Sequence, residues 1–534
     1  MKRTLAFVLL ACACDPTKIT FPDDSDAPDD PADSGDPPPD SDVVPTDSGA
    51  DSDDDSGADS GDDGGDDSDD SGPTPVTGPL DRVSGEAPLT DQSDATLVGE
   101  STMNYAGYLV QHAGDVDGDG YGDVLTTTNQ AYGTSGGIYL VRGPISGEQS
   151  LSDADGIVRA GSEGGTLGVT PRALSSQGDL DGDGYTDVTV SDCVYSGSHS
   201  TEGRVWLLSG PLDGESTLTD AAGTVTGSTY GDGLGAEVVH MDLDGDGQDD
   251  LLSSAQGNYT DPTNEGSVVV MRGPLSGART HAAPDAELVG AGAGDGAGSA
   301  LSTGDYNGDG AADLVVGARG VDTSAGSEVG AAFIVYGPVT DSVYGLEYAD
   351  AVVYGTSTNS HAGEDVWSAG DTDGDGYEDL ATSAPWVTTS STSQGAIYVF
   401  TGPIAGDQDT DSATASFVAA GIATPALYTQ WTSADLDLDG FDDGVMSSAS
   451  AERNQGAVFL NSGPLEGSHV IDDGGSDAVW TGDKILSYFL LGVDARGDVD
   501  GDGAPDLLVG ASASVGDAAA TAAGRAHILF GGAM

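Results

Sequence analysis

Aspartate occupies positions 1, 3, 5 and 9 of a nine-residue stretch, and the stretch occurs seven times with one asparagine at position 3. The first copy reads Asp115-Val116-Asp117-Gly118-Asp119-Gly120-Tyr121-Gly122-Asp123. The others open at Asp179, Asp242, Asp305, Asp371, Asp435 and Asp498, at intervals of 63 to 66 residues. Positions 1, 5 and 9 are aspartate in every copy. Position 5 is Asp119, Asp183, Asp246, Asp309, Asp375, Asp439 and Asp502, and position 9 is Asp123, Asp187, Asp250, Asp313, Asp379, Asp443 and Asp506. Position 3 is Asp117, Asp181, Asp244, Asp373, Asp437 and Asp500, with Asn307 in the fourth copy, where an amide oxygen replaces a carboxylate. Position 6 is always glycine, and position 4 is glycine except at Leu438. Position 7 varies, as Tyr121, Tyr185, Gln248, Ala311, Tyr377, Phe441 and Ala504, which is expected where only the backbone carbonyl is used. Oxygens at positions 1, 3, 5, 7 and 9 form the donor set of a calcium loop. Carboxylates this close repel one another without a cation. Many oxygens at flexible distances favour calcium over sodium or magnesium. The expectation is one Ca2+ in each of seven loops, with no catalytic residues among them.

An EF-hand would need glutamate at position 12 and flanking helices. Position 12 is Thr126, Val190, Ser253, Val316, Thr382, Met446 and Val509, and the residues after each loop read as strand, as in Leu314-Val315-Val316. About twenty residues on, a second run recurs between Gly and Gly-Pro, as in Gly137-Ile138-Tyr139-Leu140-Val141-Arg142-Gly143-Pro144 and Gly395-Ala396-Ile397-Tyr398-Val399-Phe400. A third follows, as in Ala286-Glu287-Leu288-Val289, and a fourth precedes each loop, as in Leu109-Val110-Gln111-His112. Four strands per unit in a steady period make one propeller blade. The predicted fold is all-β, a seven-bladed β-propeller of four-stranded blades over residues 78–534.

The order of strand, acidic loop, "LVVGA" strand and "GAIYVF" strand resembles the FG-GAP repeat of the integrin α-subunit propeller. Leu314-Val315-Val316-Gly317-Ala318 and Gly395-Ala396-Ile397-Tyr398-Val399-Phe400 carry the resemblance, which covers residues 94–534. The Phe-Gly pair is degenerate: Leu234-Gly235 and Ala297-Gly298 stand near its place, and Pro171 stands there in the second unit. The resemblance implies calcium-dependent binding or adhesion at a cell surface, to a protein or polysaccharide. It marks no partner. The rivals are a polysaccharide hydrolase or lyase on a propeller scaffold and a structural, calcium-storing envelope protein. No cluster of acid and base groups apart from the loops supports an enzyme.

The chain has 91 acidic and 15 basic residues, a net charge of −76, which repels nucleic acid and anionic lipid alike. Lys2-Arg3 and the apolar run Leu5–Ala11 form a leader over residues 1–14, too short to span a bilayer. Leu9-Leu10-Ala11-Cys12 resembles a bacterial lipoprotein box, with Cys14 the second choice for acylation. Residues 15–77 hold 22 aspartates and are expected to be a disordered, extended stalk. The expected protein is a secreted monomer at the cell surface or outer membrane, touching membrane only through its lipid anchor. The chain ends after His527-Ile528-Leu529-Phe530, so the seventh unit lacks an outer strand, and Ala95-Thr96-Leu97-Val98 is predicted to supply it.

Arg496-Gly497-Asp498 spells an adhesive tripeptide, but Asp498 opens the seventh loop. Gly133-Thr134-Ser135-Gly136-Gly137 matches a nucleophile elbow without the helix that should follow. Cys193, alone in the body of the chain, reads as a packed thiol.

Overall fold

The strand that follows each acidic loop is buried along its whole length: Asp123–Thr128, Asp250–Ala255, Asp313–Ala318, Asp379–Ala384, Asp443–Ser448 and Asp506–Ala511 show no exposed residue, nor does Val188–Asp192. A strand covered on both faces has no reason to alternate polar and apolar residues, which explains the unbroken runs such as Leu314-Val315-Val316-Gly317-Ala318. A computed structural model describes residues 85–101, 104–128, 136–161, 174–176, 178–257, 264–387, 395–419, 430–448, 456–471, 475–482, 492–512 and 523–532. The leader, the acidic stalk, Cys12, Cys14, Pro171 and Ser135 of the elbow-like motif lie outside the described residues.

Seven sheets make a seven-bladed propeller, numbered here by the acidic loop each contains. Blade 4 illustrates the plan. Ala297–Gly304, Asp313–Ala318, Ala331–Val335 and Ala351–Tyr354 pair in order, all antiparallel. The loop Asp305 to Asp313 joins the first strand to the second. First strands pack against one another from blade 2 round to blade 1 and enclose a central cavity of about 720 Å3. Among the described residues the helical pieces are three-residue turns, such as Leu218–Asp220.

The four antiparallel strands expected per blade are present, and each sheet has a fifth that was not expected. Gly406–Asp409 runs parallel to Ala351–Tyr354, although it belongs to the next unit. The chain adds this strand to one blade, turns through a buried residue, and enters the fourth strand of its own blade. Leu151 and Leu218, each at most 2% exposed, anchor two of these turns. A repeated signal marks the crossing: Gly147-Glu148 leads to Leu151-Ser152-Asp153, and Gly214-Glu215 leads to Leu218-Thr219-Asp220.

The same module stands at the N-terminal side and closes the ring. Ala95–Val98 pairs antiparallel with Arg525–Leu529, with Leu97 opposite Ala526, so the predicted closing strand is in place. Ahead of it, Gly85–Pro88 adds the fifth strand to blade 6, parallel to Ala478–Thr481. One short segment therefore spans two blades and contributes to sealing both.

Glycine of the degenerate Phe-Gly pair sits at the seam between blades. Gly107 has φ +76°, and a Cβ there would lie 1.9 Å from the Arg525 carbonyl oxygen of blade 7. A side chain at this point would hold the first and last blades apart.

Candidate metal centres

Each acidic loop is wound around the carboxylate at position 1. Asp115 Oδ1 accepts the Gly118 and Asp119 N–H groups at 2.7 and 3.0 Å, and its Oδ2 accepts Gly120 N–H at 2.9 Å. The pattern returns at Asp179, Asp242, Asp305, Asp371 and Asp498, and at Asp435 without the position-4 bond. Leu438, the one residue there that is not glycine, keeps the loop's left-handed backbone with φ 60°. Position 5 accepts the N–H of position 7, at 3.0 Å between Asp119 and Tyr121. Asn307 Oδ1 accepts Asp309 N–H at 2.8 Å, as Asp117 Oδ1 accepts Asp119 N–H at 3.2 Å. The amide thus fills the carboxylate's place.

Position 9 begins the second strand, and its carboxylate is buried. One oxygen holds the glycine after the third strand: Gly143, Gly210, Gly273, Gly337, Gly402, Gly463 and Gly531 donate to the seven position-9 aspartates at 2.7 to 3.0 Å. The other oxygen accepts the N–H of position 2 in six loops, at 2.8 Å from Val116 to Asp123. The conspicuous Gly-Pro motif is therefore a partner of the acidic loop in its own blade.

Carboxylate oxygens converge. They lie within 4.8 Å of one another in the triplets Asp115/Asp117/Asp123, Asp179/Asp181/Asp187, Asp242/Asp244/Asp246, Asp371/Asp373/Asp375 and Asp435/Asp437/Asp439. Burial, with neighbouring aspartates adding to it, lifts position 9 to about 6 at Asp123, Asp187, Asp250, Asp313 and Asp379 and to about 7 at Asp443 and Asp506. Bonds from backbone N–H groups oppose this without cancelling it. Arg272 Nε approaches Asp244 Oδ2 at 2.9 Å. The other oxygen, Asp244 Oδ1, is buried and accepts no hydrogen bond. A hard cation would satisfy that orphan and relieve the repulsion, so the donor set fits a metal ion.

Position 7 has a packing role in addition to the backbone carbonyl that it offers. The side chains of Tyr121, Gln248, Tyr377 and Phe441 pack on position 4 of the preceding loop. A Cβ on Gly308 would lie 2.2 Å from the Tyr377 ring, one on Gly374 2.8 Å from Phe441, and one on Gly501 2.5 Å from Tyr121. Position 8, which is no ligand position, links neighbouring loops. The N–H of Asp179 donates to Asp249 Oδ2 at 3.0 Å, that of Asp305 to Glu378 Oε2 at 2.9 Å, and that of Asp371 to Asp442 Oδ2 at 2.8 Å. Each bond crosses from position 1 of one loop to position 8 of the next. An acid at position 8, present only at Asp249, Glu378 and Asp442, is the sequence mark of these contacts, but its partner lies a whole unit away.

The tripeptide Arg496-Gly497-Asp498 has a structural role. Asp498 accepts Gly501 N–H at 2.7 Å and Gly503 N–H at 2.8 Å, and Arg496 Nε donates to Asp494 Oδ1 at 2.9 Å. Cys193 is a buried thiol.

Fold and loops together define a seven-bladed β-propeller carrying FG-GAP repeats, with acidic clusters that could hold metal ions. The FG-GAP repeat family matches residues 297–335 and 368–400, in blades 4 and 5. No curated protein sequence matches the chain. Solved structures similar to it include the WD40 domain of Toxoplasma gondii coronin, at 10% identity and a TM-score of 0.40, covering 82% of this chain and 89% of that one. The Dos1 propeller shows 10% identity and a TM-score of 0.35 over 77% of this chain and 75% of its own. The V. cholerae biofilm matrix protein Bap1 shows 12% identity and a TM-score of 0.30 over 83% and 71%.

Proposed function

We propose that this protein is an exported, calcium-stabilised propeller that binds a protein or polysaccharide ligand at a cell surface. The observation that carries the calcium reading is the buried carboxylate at position 9 of all seven loops, set beside further carboxylates with too few positive groups to neutralise them. Calcium supplies the missing charge and holds the loops rigid; it is structural, and no step of chemistry passes through it. The ligand-binding role rests on the FG-GAP repeats, and the fold alone does not fix it. The lipoprotein-like sequence ending at Cys12 would tether the propeller through residues 15–77.

Calorimetric titration of chelator-stripped protein with CaCl2 tests the metal reading, with a stoichiometry near seven expected. One or two sites would overturn it. Glycan-array and pull-down assays, run with calcium and with chelator, test the binding role. Capture that chelator abolishes supports it, whereas substrate turnover would replace it with an enzyme.

A further inference from the structure

Neighbouring loops are joined by matched residues in three of the seven seams. In the seam between blades 5 and 6, Asp442 at position 8 accepts the Asp371 N–H, and its own N–H returns a bond to Asp371 O at 2.9 Å. In the seam between blades 4 and 5, Glu378 holds the Asp305 N–H, and in that between blades 2 and 3, Asp249 holds the Asp179 N–H. These three seams also carry a position-7 side chain on the preceding loop, Phe441 over Gly374, Tyr377 over Gly308 and Gln248 over Gly182, as does the seam between blades 7 and 1 with Tyr121 over Gly501.

The residue before position 1 is small enough to admit the acid in all three seams, although glycine also stands there at Gly114 and Gly497, opposite Thr186 and Gly122. It is Gly178, Gly304 or Gly370 wherever the next blade offers an acid at position 8. A Cβ on Gly370 would sit 1.9 Å from Asp442 Oδ2, and one on Gly304 would sit 2.6 Å from the Glu378 carboxyl. Where position 8 is Ala312 or Pro505, which offers no acceptor, the residue before position 1 is Met241 or Ala434.

We propose that the loops of blades 4, 5 and 6 take up their cations as one coupled arc, and those of blades 2 and 3 as a coupled pair, through the position-8 carboxylates of Glu378, Asp442 and Asp249. This rests on the cation reading above. Position 8 lies between two ligand positions, the carbonyl of position 7 and the carboxylate of position 9. Ordering these two fixes the side chain between them. That side chain holds the N–H of the preceding position-1 aspartate, around which the preceding loop is wound. A loop whose neighbour is ordered therefore has less freedom left to lose, and the linkage is reciprocal.

Terbium, a luminescent stand-in for calcium, tests the coupling on the full chain. Tyr377 lies between the loops of blades 4 and 5, so the luminescence that Tyr377→Phe removes reports those loops. Disabling the blade 6 loop with Asp439→Asn should raise the half-saturating terbium concentration at Tyr377 by about fivefold or more. In an Asp442→Ala background the same change should add less than about twofold, and Asp442→Asn, which keeps an acceptor oxygen, should restore the larger shift. Asp437→Ala, which leaves no oxygen at position 3, serves as a second way to disable blade 6 if Asp439→Asn loses β-sheet circular dichroism. A shift below twofold without Asp442→Ala, or an equal shift with it, overturns the coupling and leaves the cation reading intact. Absence of any saturable Tyr377 signal overturns both.

Discussion

Asp379 accepts the Gly402 N–H at 2.7 Å across blade 5, and so ties the acidic loop to the Gly-Pro turn that ends the third strand. Its second oxygen takes the Thr372 N–H at 2.9 Å. Asp379→Ala removes the acceptor for the Gly402 and Thr372 N–H groups and for the Thr372 hydroxyl, which costs about 2 to 4 kcal/mol before any metal is counted. Denaturant unfolding in excess chelator should show the loss. Unchanged stability there would mean that position 9 serves the cation alone.

The metal-free protein should be more stable at pH 5 than at pH 8. All seven position-9 carboxyls titrate at about 6 to 7 in the folded chain, against an ordinary 3.8. The folded state therefore keeps protons that the unfolded state has released. That stabilisation is full below about pH 4 and is lost as pH rises through 6 to 7. Calcium must displace these protons, so its affinity should fall below about pH 6. Thermal melts in chelator at both pH values, repeated with calcium, check both parts. A chelated sample that melts higher at pH 8 would contradict the assignment.

Ring closure depends on Leu97, buried opposite Ala526. Leu97→Pro takes a backbone donor from the closing strand and should cost about 3 kcal/mol, seen as a fall of several degrees in Tm. An unchanged Tm would show that the blade is sealed without this strand.

Two glycines with nearly the same φ separate backbone strain from crowding. Gly118, at φ +77°, has open space where a Cβ would go, and Gly118→Ala should cost about 1 kcal/mol. Gly107, at φ +76°, faces the Arg525 carbonyl, and Gly107→Ala should cost about 3 kcal/mol or more. Equal losses in parallel unfolding curves would mean that the seam between blades 7 and 1 is looser than its geometry.

Residues a few positions apart in the chain were readable in advance. The oxygens of each loop come from one nine-residue stretch, and local backbone geometry alone brings Asp115 near Gly118, Asp119 and Gly120. The steady period and the unpaired strand at Ala95–Val98 gave the seven blades and their closure by the same logic. The tertiary structure alone decided what meets across a seam. Asp442 and Asp371 stand one whole unit apart, and so do Tyr377 and Gly308; only the placing of one blade beside the next makes them neighbours. The parallel fifth strand is of the same kind, since Gly406–Asp409 completes a sheet whose other strands belong to the unit before it. Hydrogen bonds within a loop are set by the chain that carries both partners, whereas those between blades wait for the ring to close.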